Sequence, residues 1–162
     1  MNTFVVLTNR SVFTVANYFL HKSEESGRPI TPMQMVKLAY IAHGWYLGLT
    51  GKPLFAERAE AWKYGPVIPP LYHAYKVYGN SPIAPSAKLF GGDPSDELKL
   101  FLDRVWNVYS VYSGPELSAM THQRNTPWWQ VWHDHGGSLK RGAVIPDDLI
   151  KRHYEELAAA QA

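Results

Sequence analysis

The sequence predicts a mainly α-helical fold: a single compact domain of about six to seven helices around one buried central helix, with a small two-stranded β element. Segment 31–51 carries apolar residues on most sides and helix-capping signals at both ends. Other segments between proline and glycine breaks space their apolar residues as helices do, and 59–64 alternates as a strand does. The length of 162 residues fits one domain spanning 1–162.

The central helix is the clearest element of the sequence. Thr31 and Gln34 have the spacing of a capping box, and Gly51 suits a left-handed helix end. Gly44 and Gly48, four residues apart, predict a groove in which a neighbouring element approaches closely. One apolar stripe runs along the helix, formed by Met35, Leu38, Ala42, Trp45 and Leu49.

The remaining elements are predicted in chain order from apolar spacing and turn residues. A first helix over 11–22 precedes a polar turn, and a pair of short strands is expected within 52–64. The segment 65–70, with three prolines and a glycine, is predicted to break the chain. Later helices are expected over 71–78, 93–109, 113–120 and 127–135 and from 146 onward, and a loop is expected over 80–92. In the final helix, the residues expected to face inward are Ile150, Tyr154 and Leu157.

Composition excludes several classes of protein. The net charge of +2 is too small to indicate a nucleic-acid partner. The chain has no cysteine, which excludes disulfides and thiolate zinc sites. The apolar stretch 4–7 is too short for a signal segment or a membrane span. We therefore expect a cytoplasmic protein that contacts neither a membrane nor a nucleic acid.

No sequence pattern typical of catalysis is present. The chain lacks a GxSxG elbow, a phosphate-binding glycine pattern and an HExxH pair. We expect no enzymatic activity, no cofactor and no metal. Two alternatives stay open: a metal-dependent hydrolase that uses His43, His73 or His122 with Glu60, and a nucleic-acid-binding regulator, whose binding would weaken as salt rises.

Aromatic residues are abundant, at 14% of the chain, with six Trp and ten Tyr. Their rings serve cores and protein interfaces alike, because Trp and Tyr combine an apolar body with one polar group. Core positions are predicted for Trp45, Trp62 and Trp106. The predicted partner-binding residues are Tyr72, Tyr75, Trp129 and Trp132.

Two stretches of the sequence resemble the signature of a known family. Segment 37–45, KLAYIAHGW, resembles the KLLYYAQGW signature of the Panacea domain, the SocA-like antitoxin family that includes phage-associated proteins. Segment 60–69, EAWKYGPVIP, is similar to the family's EAWxYGPVxP element, and 117–122 and 127–128 match later elements in order. The resemblance assigns these residues to the family's motif and scaffold: Lys37, Tyr40, Gly44, Trp45, Glu60, Trp62, Tyr64, Gly65, Pro66, His122, Pro127 and Trp128.

The resemblance implies a non-enzymatic antitoxin that neutralises a cognate protein toxin, encoded nearby, by direct contact. It also implies an adaptor role, in which the chain presents its toxin to a bacterial protease such as ClpXP. Two positions depart from the family pattern: His43 stands where the family often has Gln, and 123–125 lacks the acidic residue that many relatives carry after the His. A phage-associated DNA-binding or regulatory protein is the alternative function.

Overall fold

A computed structural model describes residues 10–161 of the chain. Within this range the chain forms seven α-helices and one small sheet, so the predicted mainly α-helical class is confirmed. No helix of this range is both long enough and apolar enough to cross a membrane. The helices are α1 (Val12–Ser26), α2 (Pro32–Thr50), α3 (Pro69–Tyr75), α4 (Asp96–Tyr109), α5 (Gly114–Thr121), α6 (Pro127–Trp129) and α7 (Asp147–Ala160), and the strands are β1 (Ala59–Trp62), β2 (Gly65–Val67) and β3 (Ala143–Ile145).

Helix α2 lies at the centre of the fold, as predicted, and contacts α1, α3, α4, α5, α7 and β2. The Thr31 hydroxyl accepts a hydrogen bond from the Gln34 amide, and the Gln34 side chain accepts one from the Thr31 amide. The predicted capping box is therefore present. Gly51 ends the helix in the left-handed conformation, with φ of 74°, which other residues adopt at a cost.

The glycine groove of α2 holds α7. A Cβ atom on Gly44 would lie 2.1 Å from the ring of Tyr154, and one on Gly48 would lie 2.9 Å from the Tyr154 backbone carbon. Distances this short leave no room for a side chain at either position. The predicted close approach is confirmed. On α7, Ile150 and Tyr154 are buried as expected, whereas Leu157 is 37% exposed and does not face the core.

The sheet has three strands rather than two, and of the segment 52–64, where both strands were predicted, only β1 is a strand. Strand β1 pairs antiparallel with β2 on one side and with β3 on the other. The predicted chain break at 65–70 was wrong for residues 65–67, which form β2, and for residues 69–70, which begin α3. Pro66 lies on an edge strand, where a missing amide donor is tolerated. Strand β3 is only three residues long, too short for its alternation to be recognised in the sequence.

Three helix boundaries differ from the prediction for local reasons. Helix α1 runs past the predicted 11–22, because the left-handed glycine that ends it is Gly27, with φ of 68°. Helix α4 begins after Asp93, because the Ser95 hydroxyl is its cap and accepts from the third helical amide. The helix predicted over 127–135 is α-helical only in α6 and then continues as a π-helical turn.

The loop predicted over 80–92 contains no helix or strand, and it is fastened to the core at several points. The side chain of Asn17 donates to the Leu89 carbonyl and accepts from the Leu89 amide, both at 2.7 Å. The Tyr75 hydroxyl donates to the Ala87 carbonyl at 3.1 Å. This loop therefore covers one side of the α1–α3 region.

Candidate functional site

The β1–β2 hairpin carries two aromatic motif residues, Trp62 and Tyr64, at the surface. Trp62 is half-buried and Tyr64 is 64% exposed. Trp62 is fixed from two sides: its indole N–H donates to the Glu60 carboxylate at 3.1 Å, and its carbonyl accepts from the Trp128 indole at 2.6 Å. The hairpin thus presents an oriented indole and an exposed phenol, although a core position was predicted for Trp62 and an internal scaffold role for both residues.

Two of the predicted partner-binding residues extend this surface. Tyr72, at 37% exposure, packs edge-on against Trp62 with ring centroids 4.9 Å apart. Trp132 is half-buried, stacks on Trp128 at 5.5 Å with 16° between the planes, and lines a cavity that Trp62 also lines. The surface formed by Trp62, Tyr64, Tyr72 and Trp132 is called the aromatic face below.

The other two predicted partner-binding residues have different surroundings. Tyr75 is 1% exposed, and its hydroxyl donates to the Ala87 carbonyl, so it belongs to the core and presents no surface to a partner. Trp129 is half-buried, and its ring centroid lies 3.8 Å from that of the exposed His133. Of the four predicted residues, Tyr72 and Trp132 are therefore those that border Trp62, one through a ring contact and the other across a cavity.

Motif residues of α5 and α6 support the hairpin from the interior. Trp128 is buried, and its ring packs edge-on against His122 with centroids 5.3 Å apart. The Ser118 hydroxyl donates to the Tyr64 carbonyl at 2.6 Å, and the His122 Nδ1 atom hydrogen-bonds the Ser118 carbonyl. Pro127 is also buried. These contacts hold the hairpin in one orientation relative to the helices.

The motif residues of α2 that follow Lys37 pack toward α7. The indole of Trp45 packs edge-on against Tyr154 at 5.2 Å and donates to the Tyr109 hydroxyl at 2.8 Å; Trp45 is half-buried, although a core position was predicted. Tyr40 is fully buried, and within the described part of the chain its hydroxyl has no hydrogen-bond partner. Burial raises the pKa of the Tyr40 phenol, so the hydroxyl remains protonated.

A cavity of about 370 Å³ lies between α2, the hairpin and α3. We call it the lysine cavity, because the charged residues that line it are Lys37, Lys63 and Lys76, and no carboxylate of residues 10–161 does. Lys63 and Lys76 are exposed at its rim, whereas Lys37 is buried at its floor. Its walls are mostly apolar and include Met33, Val36, Trp62, Tyr64, Val67 and Tyr72.

Lys37 is 3% exposed, and its ammonium group donates to the Pro66 carbonyl at 2.7 Å. Gly65, with φ of 118°, makes room for it, since a Cβ atom there would lie 3.1 Å from Nζ. The ion pairs formed by residues 10–161 do not include Lys37. Desolvation by burial lowers the pKa of Lys37 to about 7, because the charged form loses water and gains no opposite charge.

A second cavity, of about 670 Å³, shares Trp62 and Lys63 with the first. It is lined by charges of both signs, with Glu60 beside Lys63, Lys140 and Arg141, and by Trp132. The aromatic face therefore lies between two concave surfaces, of which the lysine cavity has charges of one sign only.

The three histidines considered for a metal site have three different environments. His43 is buried; its Nδ1 accepts from the Leu54 amide at 3.3 Å, which leaves the ring proton on Nε2, 3.0 Å from the Asp147 carboxylate. His73 is exposed, and His122 bonds a backbone carbonyl. Among residues 10–161 no three His, Asp or Glu side chains are grouped so that they could hold a metal ion.

Comparison with known proteins identifies the family. The chain belongs to the antitoxin SocA-like, Panacea domain family, whose model matches residues 35–129. The antitoxin SocA of Caulobacter vibrioides (strain NA1000 / CB15N) is 30% identical over 150 residues, which cover 86% of this chain and 80% of that antitoxin. No solved structure matches. The family membership supports an antitoxin role and confirms the resemblance seen in the sequence.

The matched segment contains α2 from residue 35 onward, the hairpin and α3 to α6, but it ends before Trp132, β3 and α7. Sequence reasoning identified Lys37 only as a motif residue and missed the cavity above it. One signal was available: Lys37 is the only charged residue in a helix that is apolar on most sides. A lysine at such a position is forced into the interior when the helix is central to the fold.

Proposed function

We propose that this chain is an antitoxin that neutralises a protein toxin by direct contact, and that the aromatic face is the contact surface. Membership of an antitoxin family supports the role. The observation that carries the choice of surface is the exposure of Tyr64 and Tyr72 beside the half-buried Trp62, within the family motif region. Large rings left partly exposed in one patch are typical of protein interfaces.

The aromatic face is suited to tight binding because its central ring is already held in place. The indole of Trp62 is fixed by Glu60 and packed by Tyr72, so little side-chain freedom remains to be lost on association. A standard interface covers about 800 Å² on each partner. An area of that size around Trp62 extends over both cavities and makes Trp62 and Tyr72 its central anchors.

The test is co-expression of the chain with the product of the adjacent gene. We expect that product to arrest growth alone and to be neutralised by this chain, with a complex detectable by pull-down and calorimetry. Tyr64→Ala and Tyr72→Ala should each weaken the complex by roughly 10-fold to 30-fold, as truncation of an interface anchor does. Phe90→Ala, which removes a fully exposed ring from the 80–92 loop, is the matched control and should bind as the wild type does.

Two results would overturn the proposal in different ways. If the adjacent gene product is neither bound nor neutralised, the antitoxin mechanism fails for that partner. If it is bound, but Tyr64→Ala and Tyr72→Ala weaken binding no more than Phe90→Ala does, the mechanism stands and the contact surface lies elsewhere.

The adaptor role implied by the family resemblance stays a prediction. It requires that the bound toxin be degraded faster when this chain is present. The toxin's half-life is measured in cells with and without the protease ClpXP, and with Tyr72→Ala as a binding-defective variant. A half-life shortened only when ClpXP and the wild-type chain are both present indicates degradation rather than simple occlusion. Equal half-lives in all strains would leave occlusion as the mechanism.

A further inference from the structure

The lysine cavity has the chemistry of a receptor for one acidic side chain. Lys37 lines it with a buried side chain whose ammonium group donates to the Pro66 carbonyl, its rim carries Lys63 and Lys76, and among residues 10–161 no carboxylate lines it. Around these charges the walls are apolar, from Met33 and Val36 of α2 and Tyr72 of α3. A ligand complementary to this arrangement has one negative charge within an apolar surround.

We propose that the lysine cavity binds an Asp or Glu side chain of the partner toxin, flanked there by apolar residues, with its carboxylate paired to Lys37. This inference rests on the proposed function, since it names the chemistry by which the toxin would be recognised. We favour an acidic side chain over the C-terminal carboxylate of the toxin, because α2, the hairpin and α3 all supply apolar walls. A residue inside a segment can place apolar neighbours against several walls at once.

The hydrogen bonds of Lys37 leave capacity for such a ligand. Its ammonium group has three donor hydrogens, and one of them is accepted by the Pro66 carbonyl. Neighbouring Thr121 of α5 contributes an uncharged hydroxyl, which already donates to the Leu117 carbonyl. A carboxylate in the cavity would supply both the missing acceptor and the missing negative charge.

The pairing has a consequence that a purely structural lysine would not have. Free Lys37 has a pKa of about 7, because burial disfavours its charged form. The other titratable side chains lining the cavity are those of Lys63 and Lys76, whose positive charges repel an added proton, and of Tyr64 and Tyr72. A bound carboxylate therefore raises the pKa of Lys37, and at about pH 8 binding takes up close to one proton.

The first test uses the chain alone, with 3-phenylpropionate as the probe and 3-phenylpropanamide as its neutral match. NMR of the Lys37 ammonium nitrogen and the Trp62 indole should show saturable shifts with the carboxylate and none with the amide. Lys37→Met should lose the response. Lys52→Met, which removes an exposed lysine from the bend that follows α2, should keep it. Equal responses to the two probes, or no response of Lys37, would overturn the proposal.

The second test uses the toxin, measured by calorimetry at about pH 8 in two buffers of different ionisation enthalpy. We expect uptake of close to one proton, an affinity that falls about tenfold per unit as pH rises above 7, and a loss of about 30-fold or more in Lys37→Met. A toxin that binds wild type and Lys37→Met equally, without proton uptake, would refute the carboxylate site and leave the proposed function intact.

The two tests separate the two hypotheses. If no toxin is bound, the proposed function fails while the phenylpropionate titration still decides whether a carboxylate site exists. If Lys37→Met does not fold, the comparison of carboxylate with amide on the wild-type chain remains decisive, because it requires no variant.

Discussion

Replacing Gly48 by alanine should destabilise the protein, although alanine is the better helix former. The new Cβ would lie 2.8 Å from the Tyr154 Cβ and 2.9 Å from the Tyr154 backbone carbon. Since carbon atoms pack at about 3.5–4.0 Å, α7 must move outward by about 1 Å. Overpacking of this kind lowers stability by about 1–3 kcal/mol. Because the new Cβ meets backbone atoms, which cannot rotate away, the cost of Gly48→Ala lies at or above the upper end of that range. The higher helix propensity of alanine compared with glycine offsets about 1 kcal/mol of this cost.

We expect a net loss of about 2 kcal/mol in the free energy of unfolding, which corresponds to a fall in Tm of about 4–8 °C for a chain of this size. Urea and thermal denaturation followed by circular dichroism measure both values. Gly92→Ala is the control, because a Cβ there meets nothing within 4 Å. If Gly48→Ala is as stable as Gly92→Ala or more stable, α7 is not docked in the glycine groove.

A double substitution sharpens this test. A Cβ on Gly44 meets ring atoms of Tyr154, whereas one on Gly48 meets the Tyr154 backbone and the Glu155 amide nitrogen. Tyr154→Leu should therefore rescue part of the loss caused by Gly44→Ala, with a coupling of about 1 kcal/mol. It should rescue none of the loss caused by Gly48→Ala. Equal coupling at both positions would contradict the packing described above.

Three further predictions concern buried polar groups, each measured by chemical denaturation. His43→Ala should lower the free energy of unfolding by about 3 kcal/mol, because it leaves the Leu54 amide without its acceptor and opens a cavity beside Phe55. A loss below about 1 kcal/mol would contradict this prediction. Tyr40→Phe should leave stability unchanged or raise it by about 1 kcal/mol, since the buried hydroxyl has no partner in the described range; a clear loss would reveal a partner. As pH rises above 7, the wild type should become more stable relative to Lys37→Met, by up to about 1.4 kcal/mol per pH unit. The reason is that Lys37 has then lost its proton in the folded chain but keeps it in the unfolded chain. A stability difference that does not change with pH would refute the lowered pKa.

The elements that the sequence predicted well are those fixed by local chemistry. The capping box of Thr31 and Gln34 and the glycine end at Gly51 act within one helical turn, so they can be read without knowing the rest of the fold. Strand β3 is different. It is stabilised by pairing with β1, where Ile145 lies opposite Ala59, far away in the sequence. A strand of three residues is too short for its sequence to predict that pairing.

The candidate site shows the same limit. Residue type predicted a partner-binding role for Tyr72 and Tyr75 alike, yet Tyr72 is exposed and Tyr75 is buried. It could not separate Tyr72 from Tyr75, which are three residues apart on α3 and therefore neighbours on an isolated helix. The 80–92 loop decides between them, because its Ala87 carbonyl accepts from the Tyr75 hydroxyl. Burial of Lys37 likewise depends on neighbours that only the folded chain brings together.

Strand β3 and helix α7 come late in the chain, yet they complete elements made much earlier. Until a ribosome has released them, β1 keeps one unpaired edge and the Gly44–Gly48 groove of α2 stays open to water. A nascent or prematurely terminated chain therefore displays a free strand edge and an apolar helix surface, which make incomplete chains prone to aggregate. Synthesis must therefore extend through α7 before the sheet and the glycine groove are complete.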